Sequence, residues 1–558
     1  MILPMRLGVL LLALLSIAAP LFLQQPKPAP DPAPTLSEAQ ALYRKGSFDQ
    51  ALARYNDILK ADPSSGDAYA GIIRCYLKQD KVQEADDTLQ KALHTVPAHP
   101  EVRVAEGEIL FRQGEIPEAG KLFDEVIASP PDPAQPNARP NARAYLGAAR
   151  VADANAMYAR EHILISRAHA LDGDDPEIRR LWIEMLSPAA RIQSLGDYLA
   201  QATAADEETR GRLRARLDFL KASQQLEHQP CRSASEVKAT KVPLRSILLG
   251  NGGASGNGLN VLVNGKTLKL LLDTGATGIL IGAKPAMDAG LKGTSEIHMS
   301  GIGDKPDVPA HLAYADSFQI GEMQFLNCPV VLIERVPRDS DGIIGADVFS
   351  HFLIEMDFPN SLLTLSPLPP RPGEQPAKPT LRTVDDESAG SSEEKSAAGA
   401  RPVSDSPVAP RFEDRYLAPE MHSYVQIFRI GHMLLVPTTI DEKSSRLFLL
   451  DTGAFDNTIT PEAAREVTKV HRAPRVDVRG LNGEVKKVYV ADQVTLDFGH
   501  LRQTVPNIVS IDMSRTSRQA GTEISGTLGM AMLGLLKVRL DYRDALADFH
   551  YTPKPARH

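Results

Sequence analysis

Hydrophobic residues in the first part of the chain recur with the period of a helix. Phe48, Leu52 and Tyr55 are spaced i, i+4 and i+7, so they share one face of a predicted helix. The pattern repeats every 34 residues over three copies, across residues 36–131. Five positions stay in register, namely alanine at 51, 85 and 119; proline at 63, 97 and 131; Phe48, Val82 and Ile116; Tyr55, Leu89 and Phe123; and Leu59, Leu93 and Ile127.

This pattern, with small residues where two helices approach and bulky residues between them, resembles the tetratricopeptide repeat (TPR). A looser fourth helix pair is expected over residues 142–171, and further helix over residues 177–227 is expected to cap the stack. We therefore assign residues 36–227 to a TPR-like α-helical solenoid with a concave surface. That surface is interpreted as a docking surface for another protein, and the alternative is a spacer that only positions the rest of the chain.

After residue 230 the helical period gives way to short apolar runs divided by glycines, which indicates an all-β region. Two runs, residues 268–272 and 446–450, each lead into the tetrapeptide Asp-Thr-Gly-Ala. In both copies a glycine-rich hairpin, an apolar-apolar-Gly segment and an alternating strand follow in the same order. The repetition indicates an internal duplication of a whole domain.

Each half of this region resembles one protomer of a retropepsin-type aspartic protease. In that family the aspartate of the Asp-Thr-Gly turn is catalytic, the hairpin is a flap over the substrate, and the apolar-apolar-Gly segment passes beside the catalytic loop. The resemblance implies that Asp273 and Asp451 are catalytic and face each other. It assigns to the active-site turns Thr274, Gly275, Ala276, Thr452, Gly453 and Ala454, and to the flap tips Gly301, Ile302, Gly303, Gly480, Leu481, Asn482 and Gly483.

The predicted fold class is thus multidomain, an N-terminal TPR-like α-helical solenoid followed by two all-β retropepsin-like lobes. The lobes are expected over residues 233–367 and 412–553. Residues 368–411 between them are rich in proline, serine and glutamate and poor in apolar residues, so we expect this linker to be disordered. A flexible linker of this length allows the lobes to pair within one chain or between two chains.

Two carboxylates that share one proton cannot both ionise, so such a pair holds an acid and a base together. The base would deprotonate a water that attacks the peptide carbonyl, while the acid would protonate the carbonyl oxygen. The predicted activity is that of an aspartic endopeptidase with a polypeptide substrate, no metal and no cofactor. The alternative is a non-catalytic scaffold, in which a degenerate protease pseudodimer binds a peptide without cutting it.

The two halves differ close to the predicted site. In the first half, Asp347 lies two residues after Gly345, whereas in the second half residues 530–533, directly after Gly529, include no acidic residue. The flap tips carry no obvious tyrosine to contact the substrate. These differences reduce the expected symmetry of the two lobes and leave the pair of aspartates intact.

Residues 7–23 form an almost unbroken apolar run, which is typical of a signal peptide or a short membrane anchor over residues 1–23. A stiff spacer rich in proline and alanine follows over residues 24–35. We therefore expect the protein to be exported to the periplasm or the extracellular space. The N-terminal segment would be either cleaved or retained as a membrane tether.

Composition narrows the possible partners and sites. A formal charge of −8 without a long basic run argues against nucleic acid as a partner. The three cysteines, Cys75, Cys231 and Cys328, are odd in number and far apart, so they are interpreted as buried apolar residues and not as a disulfide framework or metal ligands. The 14 histidines show no paired ligand spacing, and no metal site is expected.

Overall fold

The computed structural model describes residues 35–129, 140–201, 207–225, 231–248, 255–299, 308–337, 339–372, 380–382, 415–473, 476, 478–480 and 483–553. The predicted signal or anchor segment, the spacer up to residue 34 and most of the predicted linker lie outside these residues. Within the described part of the chain, no helix is both long enough and apolar enough to cross a membrane.

The N-terminal region is built from helices, as the sequence predicts. Described here are α1 (Leu36–Arg44), α2 (Phe48–Ala61), α3 (Gly66–Lys78), α4 (Val82–Thr95), α5 (Pro100–Arg112), α6 (Ile116–Ala128), α7 (Ala142–Ala154), α8 (Tyr158–Asp172), α9 (Pro176–Glu184), α10 (Pro188–Gln201) and α11 (Glu207–Gln225). The helices α1 to α8 form four consecutive pairs, each packed against the next. This arrangement confirms the predicted helical solenoid.

The positions repeated every 34 residues form the core of the solenoid. Alanine at positions 51, 85 and 119 is fully buried, and the rings of Tyr55 and Phe123 are almost fully buried. A Cβ at Gly71 would lie 2.3 Å from the Tyr55 ring, and one at Gly107 would lie 2.6 Å from the Phe123 ring. The small residues are therefore needed because neighbouring helices approach each other across an aromatic side chain.

The first helix of each pair also carries a ladder of charges with the period of the repeat. Its members are Arg74, Glu108, Arg143 and Glu177 on α3, α5, α7 and α9, separated by 34, 35 and 34 residues. Arg74 Nε lies 2.9 Å from Glu108 Oε2, Arg143 Nε lies 2.7 Å from Glu108 Oε1, and Arg143 Nη2 lies 3.1 Å from Glu177 Oε1. Each buried charge thus has a partner of opposite sign in the neighbouring repeat.

The region after residue 231 consists of strands with a few short helices. In the first lobe these are β1 (Arg232–Ser233), β2 (Thr240–Leu248), β3 (Ser255–Val263), β4 (Lys266–Asp273), β5 (Ile279–Gly282), α12 (Ala283–Asp288), β6 (Ser295–Met299), β7 (Val308–Ile320), β8 (Met323–Ile333), β9 (Gly342–Gly345), a 3-10 turn (Ala346–Phe349), β10 (Phe352–Asp357) and β11 (Leu362–Pro367).

The second lobe repeats much of this order. Its elements are a 3-10 turn (Pro419–Met421), β12 (Val425–Gln426), β13 (Phe428–Ile430), β14 (Met433–Ile440), β15 (Ser444–Leu450), β16 (Thr458–Ile459), α13 (Pro461–Arg465), β17 (Val470–Arg472), β18 (Arg479–Gly480), β19 (Gly483–Glu484), β20 (Val488–Phe498), β21 (Leu501–Ile511), α14 (Ser514–Ala520), β22 (Gly526–Leu528), α15 (Met530–Leu533), β23 (Leu536–Asp541) and β24 (Leu546–Tyr551).

Within the described residues the strands form a 14-stranded sheet, an 8-stranded sheet and a two-stranded sheet. The largest runs in the order β12-β24-β23-β10-β11-β2-β3-β4-β9-β5-β8-β7-β6, with β1 paired to β8, so it contains strands of both lobes. The second runs in the order β13-β14-β15-β22-β16-β21-β20-β17, and β18 pairs with β19. The all-β region with two lobes is as predicted.

The lobes join through the antiparallel pairing of β10 with β23. Glu355 lies opposite Arg539 and Asp357 lies opposite Lys537 in the register. These opposed residues form ion pairs, with 2.8 Å from Arg539 Nε to Glu355 Oε2 and 3.0 Å from Lys537 Nζ to Asp357 Oδ2. The two lobes of the chain are therefore joined by a shared sheet and by ion pairs across it.

The solenoid packs directly on the second lobe. Ile116 and Ala154 of the solenoid share a buried apolar cluster with Phe428 of β13. The backbone also contributes, because Glu523 N donates to the Arg112 carbonyl oxygen at 2.9 Å. The solenoid is therefore held in one orientation on the lobe by apolar packing and hydrogen bonds.

The last helix of the solenoid, α11, packs against the first lobe. The sequence predicts that α11 caps the helical stack, and it does pack against α10. Helix α11 also contacts β6. Its residues Leu217 and Phe219 share a buried apolar cluster with Leu312 of β7. The helix therefore connects the solenoid to the hairpin formed by β6 and β7.

Two expectations are wrong for particular residues. Cys231 and Cys328 form a disulfide between the start of the first lobe and β8, which leaves only Cys75 as a free, buried thiol. An odd number of cysteines is compatible with one disulfide and one buried cysteine, so the number alone does not exclude a bridge.

Leu381, in the predicted disordered linker, is buried in the main core. Arg371 of the same segment forms an ion pair with Asp544 at 2.8 Å.

Candidate active site

The two Asp-Thr-Gly turns lie at equivalent places in the two lobes. Asp273 is the last residue of β4, and Asp451 directly follows β15. The residues before them, Leu272 and Leu450, are fully buried and anchor the strands in the core. Strand β9 pairs with β4 in parallel, and β22 pairs with β15 in the same way. The predicted apolar-apolar-Gly segments therefore lie beside the catalytic loops.

The threonines of the turns connect the lobes by crossed hydrogen bonds. Thr274 N donates to Thr452 Oγ1 at 3.0 Å, and Thr452 N donates to Thr274 Oγ1 at 3.0 Å. Each hydroxyl also donates across the interface, Thr274 Oγ1 to the Leu450 carbonyl oxygen at 2.7 Å and Thr452 Oγ1 to the Leu272 carbonyl oxygen at 2.9 Å. Both threonines are almost fully buried, so these four bonds fix the two turns against each other in a site without bulk water.

The glycines of the turns allow the two carboxyl groups to approach each other. A Cβ at Gly453 would lie 2.3 Å from Asp273 Oδ2, and one at Gly275 would lie 2.9 Å from Asp451 Cγ. Each carboxyl group therefore lies directly over the glycine of the opposite turn. Asp273 and Asp451 face each other, in the arrangement that the duplicated motif implies.

Backbone N–H groups of the turns orient the carboxyl groups. Gly275 N donates to Asp273 Oδ1 at 2.8 Å. Asp451 Oδ1 accepts from both Gly453 N at 2.9 Å and Ala454 N at 3.0 Å.

Ala276 is the residue of the first turn that corresponds to Ala454 of the second. A Cβ added at Gly345, on the strand behind the first turn, would lie 2.6 Å from the carbonyl oxygen of Ala276. The strand behind the turn therefore leaves no room for a side chain at this position.

Burial and mutual repulsion shift the titration of the aspartate pair. Burial raises the pKa of Asp273 well above its ordinary value, and the negative charge of Asp451 raises it further. Burial also raises the pKa of Asp451, while hydrogen bonds from Asp273 and from the backbone of Ala454 and Gly453 oppose the shift. The pair therefore retains one proton in moderately acidic solution.

A single polar side chain secures each turn to the strand behind it, and this side chain differs between the lobes. In the first lobe, Asp347 accepts hydrogen bonds from Thr277 Oγ1 at 2.8 Å and Gly278 N at 3.1 Å. In the second lobe, Asn457 Oδ1 accepts from Gly529 N at 2.8 Å. The role of Asn457 was not predicted, because Asn457 lies in the turn loop and not after Gly529, the place that corresponds to Asp347 in the first half.

The described residues include the base of each predicted flap. Strands β6 and β7 form the arms of the first hairpin, and Gly480 pairs with Gly483 in the second. Outside the described residues lie Gly301, Ile302, Gly303, Leu481 and Asn482.

A cavity of about 1770 Å³ lies beside the two turns and is lined by Asp451. The turns also contribute Gly275 and Thr277 to its wall, and the first hairpin contributes Ile297 and Met299. The opposite wall belongs to the solenoid, whose contribution was not predicted. The ladder of charged residues at a spacing of about 34 was the signal that could have indicated it.

Among the described residues, no group of three or more histidine, cysteine, aspartate or glutamate side chains is placed to hold a metal ion.

Comparison with known proteins identifies two kinds of domain. A family model described as aspartyl protease matches residues 259–348 and 436–532, and two tetratricopeptide repeat models match residues 42–103 and 76–136. No curated protein matches the chain.

Two solved structures show distant similarity. The aspartic proteinase from Irpex lacteus is 13% identical, with coverage of 56% of this chain and 97% of that one and a TM-score of 0.31. A structure titled as the functional characterization of Pseudomonas aeruginosa pilF is 18% identical, with coverage of 34% and 84% and a TM-score of 0.22. The chain is therefore similar to tetratricopeptide repeat proteins over residues 42–136 and to aspartyl proteases over residues 259–348 and 436–532, and each protease match contains one Asp-Thr-Gly turn.

Proposed function

We propose that this protein is an aspartic endopeptidase with one active site, formed by Asp273 and Asp451 of the same chain. The proposal depends above all on the four crossed hydrogen bonds of Thr274 and Thr452, which hold one carboxyl group from each lobe in a single buried site. A peptide-binding scaffold has no need to keep both carboxyl groups buried at this cost in desolvation.

The hydrogen bonds assign different roles to the two aspartates. Asp451 accepts from two backbone N–H groups, which favour its charged form, so it acts as the general base. Asp451 takes a proton from a water molecule, whose oxygen forms a bond to the peptide carbonyl carbon. Asp273 donates its proton to the carbonyl oxygen, which gives a neutral tetrahedral intermediate. The proton on Asp451 then passes to the leaving nitrogen as the C–N bond breaks, and Asp273 recovers its proton from the intermediate's hydroxyl.

We also propose that the protein works in the periplasm or outside the cell. The disulfide between Cys231 and Cys328 supports this location, because disulfides persist in oxidising compartments. The apolar run at residues 7–23 supports export and leaves a membrane tether as one fate of the N-terminus.

The test uses the full-length chain with unfolded casein and a mixed peptide pool, from about pH 3 to pH 7, the range in which carboxyl pairs titrate. Asp273→Asn and Asp451→Asn should each reduce the rate of cleavage about 10²- to 10⁴-fold, because each removes an acid or a base. Asp316→Asn changes an exposed carboxyl group on β7 and is the matched control.

Mixing the two single variants should not restore cleavage, since both turns of one site come from one chain. Restored cleavage would instead show that lobes pair between chains. If the parent protein cleaves nothing, or if both variants cleave as well as the parent, the non-catalytic scaffold becomes the better explanation.

A further inference from the structure

The solenoid forms the wall of the active-site cavity that faces the aspartate pair. Lys78 of α3, Arg150 of α7 and Arg180 of α9 line the same cavity as Asp451 and Thr277. Its volume of about 1770 Å³ exceeds the roughly 300–1,000 Å³ of typical small-molecule pockets. The size of the cavity therefore suits a polypeptide segment that extends beyond the bond to be cut.

The solenoid is attached at several places, so this wall is part of the site. In addition to the apolar contacts with both lobes, Asp80 forms ion pairs with Arg112 at 2.5 Å and with Arg518 of the second lobe at 3.2 Å. Thr522 Oγ1 donates to the Phe111 carbonyl oxygen at 2.7 Å. A substrate segment that occupies the cavity must therefore lie against the first helices of the repeats.

The cations of this wall differ in their partners. Lys78 Nζ lies 3.1 Å from Glu177 Oε2, and Arg150 also pairs with Glu177. Arg180 is half-buried and lines the cavity, but it has no hydrogen bond or ion pair with any other described residue. Burial and the nearby charge of Arg150 lower the pKa of the Arg180 guanidinium. The charges of Glu184 and Glu177 oppose this shift, although neither residue forms an ion pair with Arg180. The site therefore contains a partly desolvated cation without a direct ion-pair partner.

Several acidic residues line the cavity, and Asp153 of α7 is the one of them whose own pKa is affected by the charge of Arg180. Burial raises the pKa of Asp153 to about 6, although the charges of Arg429 and Arg180 oppose the shift. In moderately acidic solution Asp153 is therefore mostly protonated and does not neutralise Arg180. The cation remains available for a carboxylate brought by another molecule.

We propose that Arg180 binds a carboxylate of the polypeptide substrate, so that the solenoid selects which chains reach the aspartate pair. A guanidinium presents two parallel N–H donors to a carboxylate, and such a pair is strong where water is scarce. The carboxylate comes from an acidic side chain or from the C-terminus of the substrate. This inference rests on the proposed peptidase function, because it assigns a role to a wall of that same site.

The experiment separates binding from cleavage by using the full-length chain with Asp273→Asn in every sample. Three fluorescent peptides of the same apolar sequence are compared, one neutral and amidated, one amidated with an internal glutamate, and one neutral with a free C-terminus. Fluorescence anisotropy at about pH 5.5, where peptide carboxylates are ionised, gives the Kd of each. Arg180→Gln is compared with Arg179→Gln, which removes a neighbouring cation that pairs with Gln201 and does not line the cavity.

We expect Arg180→Gln to weaken binding of a carboxylate-bearing peptide about tenfold or more and to leave binding of the neutral amidated peptide unchanged. Arg179→Gln should change neither, and Arg180→Lys should retain the preference because it keeps the charge. The peptide whose Kd increases in the Arg180→Gln variant identifies the source of the carboxylate, an acidic side chain or the C-terminus. An equal effect of Arg180→Gln on all three peptides, or no effect on any, would overturn the inference.

The binding result is independent of catalysis. If the parent protein cleaves no peptide but Arg180 still selects carboxylates, the peptidase proposal fails and the binding role stands. If the parent cleaves peptides and Arg180→Gln changes neither Kd nor KM for acidic ones, the inference alone fails.

Discussion

The two lobes carry the same Asp-Thr-Gly turn but secure it from opposite directions. In the first lobe, Asp347 follows the strand behind the turn and accepts hydrogen bonds from the turn residues Thr277 and Gly278. In the second lobe, Asn457 belongs to the turn loop and accepts a hydrogen bond from Gly529 of the segment behind it. The comparison teaches that the site requires a fixed contact between turn and strand, and that the side chain supplying it can come from either partner.

The lobes also differ in which helix of the solenoid contacts each of them. The hairpin of the first lobe contacts α11 of the solenoid, whereas the second lobe contacts α7 through β13. The aspartates themselves differ too, because Asp451 accepts two backbone hydrogen bonds from its own turn and Asp273 accepts one. The duplicated halves are therefore equivalent in the turn and unequal in its surroundings, which leads to three measurable differences.

The largest expected difference concerns the turn glycines. Gly453→Ala should reduce kcat/KM about 10²-fold or more, because the new Cβ would lie 2.3 Å from Asp273 Oδ2 and displace that carboxyl group. Gly275→Ala should have a smaller effect, since its Cβ would lie 2.9 Å from Asp451 Cγ. Gly196→Ala in α10, where a Cβ meets only one atom at 4.0 Å, is the control. An equal loss of kcat/KM in Gly453→Ala and Gly275→Ala would show that the two turns tolerate a side chain equally.

A second difference concerns the side chains that secure the turns. Asp347→Ala should lower the free energy of unfolding by about 2–3 kcal/mol, because two hydrogen bonds to a buried carboxylate are lost. Asn457→Ala, which removes one neutral hydrogen bond, should cost about 1 kcal/mol. Denaturant unfolding with Asp316→Ala as an exposed control measures both. A larger cost for Asn457→Ala would reverse the comparison.

The smallest difference concerns stability as a function of pH. A carboxyl group whose pKa is raised by folding favours folding below its unfolded pKa of 3.8, and this contribution is lost as the pH rises through the folded pKa. Asp273→Asn should therefore be more stable than the parent at neutral pH and similar to it below about pH 4, because the amide is buried without a charge to desolvate. Asp451→Asn should gain less, since the Asp451 carboxyl group loses two backbone hydrogen bonds from its own turn and Asp273 loses one. Unfolding midpoints across this range test the order, and a larger gain for Asp451→Asn would contradict it.

Local patterns were sufficient to predict the parts of the molecule that repeat. Alanine 34 residues apart predicted the solenoid, and two copies of Asp-Thr-Gly after apolar strands predicted that Asp273 and Asp451 would meet. The disulfide between Cys231 and Cys328 was missed, because it joins residues 97 apart that no local pattern connects. The solenoid wall of the cavity was missed for a similar reason, since the orientation of one domain on another depends on scattered contacts such as that of Ile116 with Phe428.

The pairing of β10 with β23 has a consequence for the order of folding during synthesis. Asp357 ends β10, and its partner strand is completed only at Asp541, so the first lobe emerges with an open strand edge long before that edge can be covered. At roughly 5–20 residues per second, the delay lasts on the order of ten seconds or more. The unpaired edge of β10 can pair with strands of other chains, so a chaperone is expected to protect β10 in that interval. The same order means that a nascent chain lacks a complete aspartate pair until its second lobe has been made.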